Sequence, residues 1–175
     1  MSMGKRDGVV LNAASGRPVE NADVQVQIYG TTTAATIYED AAGVTEADNP
    51  LLTDADGRYS YYVANGQYTE VITTNDDEVT LSNIDIQAPP LRGSATYDPA
   101  SLADGAGATT TVTVTGAALG DSAEAAFSLS TQGIILSAQV TAANTVTVRF
   151  QNETGGTIDL ASGTLYATVR PRTGL

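Results

Sequence analysis

Apolar and polar residues alternate at period two in several short runs of this 175-residue chain. Val24, Val26 and Ile28 interleave with Gln25, Gln27 and Tyr29, giving one apolar and one polar face, as a half-buried strand requires. Residues 59–63 and 67–73 are two more strand candidates. Ala64-Asn65-Gly66 between them predicts a hairpin, because Asn and Gly both tolerate positive φ. Residues 80–86 carry Leu81, Ile84 and Ile86 with imperfect alternation. Further on, Val112 and Val114 sit among threonines over 109–115. Val146, Val148 and Phe150 share one face of 145–151, and Leu165, Ala167 and Val169 one face of 165–170.

Helical signal is sparse. Residues 117–127 are alanine-rich, but Gly116 and Gly120 interrupt them and no i, i+3, i+4 stripe is sustained. Residues 31–42 have room for one helical turn, yet their surroundings favour strand or loop. Strands of five to eight residues separated by Gly, Asn and Asp predict an all-β fold of two small antiparallel β-sandwiches. The division falls at Gln87-Ala88-Pro89-Pro90. A Pro-Pro step lacks backbone donors and favours an extended connector, which gives domains of 1–88 and 89–175. A proline-protected edge strand inside a single domain is the alternative.

Charge sharpens that division. The net charge is −12, and residues 1–90 hold 14 acidic against 4 basic side chains, net −10, leaving −2 for residues 91–175. The chain has no Cys and no His, which excludes a thiol nucleophile, a disulfide, a Ser-His-Asp triad and the usual zinc, haem or iron–sulfur ligand sets. Eight basic residues make a nucleic-acid backbone a poor partner, since that binding needs basic clusters that release counterions. No run approaches the ~20 apolar residues of a membrane span. Val9, Val10 and Leu11 are too short a run for a signal-peptide core. The expectation is a non-enzymatic chain made in the cytoplasm, with no nucleic-acid or membrane partner, no cofactor and no metal.

Candidate chemistry is confined to the acidic half. Asp54-Ala55-Asp56-Gly57 has the Asp-x-Asp-Gly core of a calcium loop, where alternating carboxylates converge on a hard cation. In neither register does a bidentate Glu fall at the twelfth position. The simpler reading is a turn in which Asp side chains cap backbone N–H groups and Gly57 takes positive φ. Glu39, Asp40, Glu46 and Asp48 lie close in sequence to Asp54 and Asp56, a set from which a calcium cluster or a glycosidase pair could be drawn. Tyr59, Tyr61, Tyr62 and Tyr68 would then supply a sugar platform; a solvated acidic surface beside ordinary β-forming tyrosines is the preferred reading. Asp76-Asp77-Glu78 reads as a hairpin tip. Lys5 and Arg6 read as a polar arm, and Arg170 and Arg172 as a charged end segment, able to dock onto an acidic neighbour but expected to be flexible.

Two segments resemble known families. Residues 8–28, Gly-Val-Val-Leu-Asn-Ala-Ala-Ser-Gly-Arg-Pro-Val-Glu-Asn-Ala-Asp-Val-Gln-Val-Gln-Ile, together with Thr53-Asp-Ala-Asp-Gly-Arg-Tyr59, resemble carboxypeptidase-regulatory-like domains. These are transthyretin-like sandwiches, found also near the N-termini of bacteriophage appendage proteins. Residues 35–43 and 48–63 look like the phage form. Residues 111–121, 140–149 and 156–163 resemble a β-domain that recurs in phage and prophage structural proteins. Ser122 to Ala126 departs from that pattern, which leaves the path after Asp121 open. Neither resemblance brings catalytic residues.

The resemblances imply a virion protein that decorates or cements a capsid, or forms a head or neck fibre. Its expected partners are its own copies, as a homotrimer, and the major capsid protein or another virion protein. The near-neutral second domain is expected to make the symmetric contacts and the acidic first domain to project. A tail-fibre or tailspike adaptor that binds host glycans is the alternative, and a carbohydrate-active enzyme a remoter one.

Overall fold

In the computed structural model, which describes residues 3–75 and 77–172, every helix or strand element among the described residues is a strand. The chain separates into two compact units between Pro89 and Pro90.

The first unit contains β1 (Gly4–Val9), β2 (Asp23–Ile28), β3 (Ile37–Tyr38), β4 (Glu46–Ala47), β5 (Leu51–Leu52), β6 (Arg58–Val63), β7 (Gly66–Thr73) and β8 (Glu78–Ile86). They form two antiparallel sheets, ordered β1-β6-β3-β4 and β5-β2-β7-β8. Alternation dictates the packing. Val24 and Val26 of β2 and Tyr59, Tyr61 and Val63 of β6 turn inward and are buried, joined by Ile37, Tyr68, Ile72 and Ile86. Ile28, which shares the period of Val24 and Val26, is 47 % exposed at the end of its strand.

The second unit contains β9 (Leu91–Tyr97), β10 (Gly107–Thr113), β11 (Ser122–Phe127), β12 (Ile135–Ala142), β13 (Thr145–Gln151) and β14 (Gly163–Arg170). Its sheets are ordered β10-β13-β12 and β11-β14-β9. Val112, Val146, Val148, Phe150, Leu165 and Val169 fill the space between them. Phe150 anchors this core, with the Phe127 ring edge-on at 5.6 Å and the Tyr97 ring at 5.3 Å. β9 approaches β10 so closely that a Cβ on Gly93 would stand 2.1 Å from the Thr113 carbonyl oxygen. Only glycine fits there.

Two local expectations fail, each for a physical reason, and one path left open is resolved. Ala64-Asn65-Gly66 is not a hairpin. β6 pairs with β1 and β3, whereas β7 pairs with β2 and β8, so the segment crosses from one sheet to the other. Asn65 is instead buried, and its Oδ1 accepts the Ala88 N–H at 2.7 Å. The alanine-rich stretch from Ala117 is a turn followed by β11, whose Ala123, Ala125 and Phe127 alternate inward; this is the path after Asp121. The arm holding Lys5 and Arg6 is β1, in full register with β6 from Gly4↔Val63 to Val9↔Arg58.

Candidate functional site

The Asp54 segment is a turn. The Asp54 N–H donates to the Arg58 carbonyl at 2.9 Å, and the Gly57 N–H donates back to the Asp54 carbonyl at 2.9 Å. Asp54 Oδ1 accepts the N–H groups of Asp56 at 2.9 Å and Arg58 at 2.8 Å, so the carboxylate is turned onto its own backbone. Gly57 has φ +71°, and a Cβ there would lie 2.4 Å from the Val10 carbonyl oxygen. Thr53, just before it, is buried, accepting the Ala22 N–H at 2.9 Å and donating to the Val19 carbonyl at 2.7 Å.

The acidic set is only partly gathered. Asp54 lines an open depression of about 580 Å³ with Asp7, Arg58, Tyr59 and Ser60. Glu39 and Asp48 line an adjoining one of about 620 Å³, and the two share Leu51, Leu52 and Ser60. Asp40 serves its own loop, accepting N–H groups from Ala42, Val44 and Thr45. Those donors, Thr45 foremost, hold its carboxyl below the usual carboxylate range. Glu46 and Asp56 are exposed. Among the described residues, no group of three or more acidic side chains is placed to hold a metal ion.

The four tyrosines are strand residues, and three of them are buried rather than presented as a platform. Tyr59, Tyr61 and Tyr68 belong to the core, and Tyr68 donates to the Ala64 carbonyl at 2.8 Å. Tyr62 lies on the opposite face of β6, in register with Lys5 and Tyr38. Lys5 pairs with Asp7 at 2.7 Å, a hydrogen bond that raises its pKa. Asp77 and Glu78 close the β7–β8 connection, where the Asp77 N–H donates to Thr74 Oγ1 at 3.0 Å; Asp76 lies outside the described residues. Arg170 ends β14 opposite Ser122, and the Arg172 N–H donates to Asp121 Oδ1 at 3.0 Å, so these two residues are not a free tail.

The most concentrated chemistry lies where no motif pointed. Glu70 of β7 is completely buried. Arg6 reaches it from β1 as a fork, Nε to Oε1 and Nη2 to Oε2, both at 3.2 Å. Tyr61 donates to Oε1 at 2.8 Å and Tyr59 to Oε2 at 2.9 Å. Each carboxylate oxygen therefore has two donors, which is what a buried anion needs. Burial, and then the neighbouring Glu70 charge, pushes both tyrosine hydroxyls well above their ordinary pKa. The Arg6 pKa rises because of its hydrogen bonds to Glu70. The signal in the sequence was an acidic residue on the apolar period of a strand, between Tyr68 and Ile72. Tyr59 borders the first depression, but its hydroxyl is bonded to Glu70, and the cluster is a polar joint between the two sheets.

The second unit has an open depression of about 600 Å³, lined by Asp98, Ser101, Asp159 and Ser162, and a broad sheet surface. On the outer face of its β10-β13-β12 sheet, Thr111 stands across from Thr147, and Thr147 from Gln139. Thr109 and Ser137 flank Arg149 in the next row, and Thr113 faces Thr145. The Thr141 and Thr147 hydroxyls lie 2.7 Å apart. This face is hydroxyl-rich and comparatively stiff, because β-branched threonines are restricted at χ1. No protein-family model matches the chain, and no curated protein matches it in sequence.

Proposed function

We propose that this chain is a structural protein of a bacteriophage particle, decorating or cementing the capsid or forming a short head or neck fibre, and acting as a homotrimer. The observation that supports it best is the threonine face of β10-β13-β12. Stiff side chains lose little freedom when a neighbour covers them, so even weak contacts are retained and symmetry multiplies them. Hydroxyls also keep an isolated copy soluble. The resemblance of both halves to phage structural domains points the same way. So does the use of Arg6, Glu70, Tyr59 and Tyr61 as a joint between sheets rather than as catalytic groups.

Sedimentation equilibrium of the full chain, paired with binding to capsids that lack it, tests this reading. A trimer that loads onto such capsids, and that Thr111→Glu with Thr147→Glu disperses, is the expected result. A chain that stays monomeric at high concentration and ignores the capsids refutes it.

A further inference from the structure

We propose that the first unit accepts an extended, cation-flanked apolar strand from another protein in the open seam between β1 and β8. The inference stands on that seam alone and goes beyond the virion reading.

β1 and β8 are the terminal strands of their respective sheets, so each leaves one edge of its backbone unpaired by either sheet. At one end they are zipped together: a Cβ on Gly4 would lie 2.6 Å from the Ile86 side chain. Toward the other end a groove of about 420 Å³ opens, lined by Val10, Leu11, Ile72, Val79 and Leu81. The register shows what this groove is. Val79 stands opposite Ile72, and Leu81 opposite Glu70, and both of those β7 residues face the interior. Directly opposed residues share a face, so Val79 and Leu81 are interior-facing side chains. They are nonetheless 46 % and 38 % exposed, and Leu11 across the groove is 53 % exposed. The interior face of the sandwich is therefore uncovered there, with an open strand edge beside it.

The occupant's chemistry follows from the same residues. An unpaired edge selects an extended chain, because only a strand satisfies its N–H and C=O groups in sequence. The groove selects apolar side chains at alternate positions. A bulge on β8 between Leu81 and Ile84, with Asn83 at φ 59°, interrupts the edge, so pairing is confined to Glu78–Leu81, about four residues. Asp77 lines the groove, Glu78 starts the strand, and the unit carries net −10, so basic residues flanking the apolar run are favoured. The same charge opposes a second copy in this position.

A peptide of about seven residues, alternating valine and threonine with a lysine at each end, is the probe. It would be titrated against the full chain by fluorescence anisotropy, with amide hydrogen exchange read in parallel. Saturable binding should slow exchange at Val79 to Leu81. It should weaken at least tenfold with glutamate in place of the lysines, and be lost when a central threonine is proline. Leu81→Asp and, separately, Val79→Asp should each weaken it tenfold; both positions are half exposed, and far-UV circular dichroism confirms folding. Absence of saturable binding overturns the proposal, as does equal binding of the proline peptide or protection only outside β8. So does self-association of the chain that protects β8 with no peptide present.

Discussion

Replacing Arg6 with Met is the most demanding test of how the first unit is held together. The substitution keeps an unbranched apolar stem but removes the fork that neutralises Glu70, a carboxylate with no exposure at all. Two tyrosine hydroxyls would remain on it, at 2.8 and 2.9 Å, but no cation. Breaking a buried ion pair from one side costs about 3–5 kcal/mol. A unit of this size has about 5–10 kcal/mol in total, so the loss takes a third of its stability or more. With a urea slope of about 1.5 kcal/mol/M, the midpoint falls by about 2–3 M. Tyrosine fluorescence reports it, since six of the eight tyrosines precede Pro89. Arg6→Met with Glu70→Gln should recover most of the loss. Glutamine leaves no charge to compensate, and a tyrosine hydroxyl can turn to accept its amide N–H. If the unit instead fails to fold with Arg6→Met alone, the double variant must still fold. A single variant costing under about 1 kcal/mol, or a double variant as damaged as the single, would refute the account.

Alkaline pH should act on the same cluster. Tyr59 and Tyr61 have folded pKa values raised above the unfolded value, so their contribution is complete below pH 10 and is lost as pH rises beyond it. The transition of the first unit in a thermal melt should fall steeply above pH 10, while absorbance at 295 nm shows Tyr59 and Tyr61, joined by Tyr68, whose burial also raises its pKa, resisting ionisation until unfolding; early ionisation of all eight tyrosines would contradict this. In the second unit, Asn152→Ala removes the amide that donates to the Leu102 and Gly156 carbonyls; the first keeps the Ile158 N–H and the second is open to water, so the loss should be about 1–3 kcal/mol for the two bonds together, visible in the melting of that unit alone. Millimolar calcium should leave the melting temperature unchanged, because Asp54 Oδ1 is already bonded to two backbone N–H groups; a rise that Asp54→Asn removes would restore the calcium reading.

Period-two alternation revealed those strands whose inward residues are large: Val24 and Val26, Val146 to Phe150, Leu165 to Val169. β9 and β11 escaped it because their inward positions include Gly93, Ala95, Ala123 and Ala125, residues with weak strand propensity; at Gly93 the opposing backbone leaves no room for a side chain. β1 escaped for a different reason. Its inward positions are Gly4, Arg6 and Gly8, and no local rule marks an arginine as interior when its partner lies 64 residues away. The Asn65-Gly66 signal is local as well, and was overridden by a crossing between sheets that only the tertiary pairing specifies. The turn at Asp54 was legible because the four bonds that close it, two from the backbone and two to Asp54 Oδ1, all lie within five residues.

Charge separates the two proposed contacts. Arg6 is committed to Glu70, a pair that sums to zero, so the −10 of the first unit is carried by what remains at its surface. Two such units brought face to face would repel over about a Debye length of 8 Å at physiological salt, whatever apolar surface they shared. A contact between copies is therefore better made by the second unit, with net −2 and a threonine face bearing Arg149. The first unit suits the opposite case, a contact with something unlike itself and basic. The apolar seam between β1 and β8 supplies the attraction that charge alone would leave salt-sensitive. High salt should thus weaken the strand-accepting contact in part and leave a threonine-mediated assembly intact. Loss of the assembly in salt would mean that attraction between opposite charges, not the threonine face, holds the copies together.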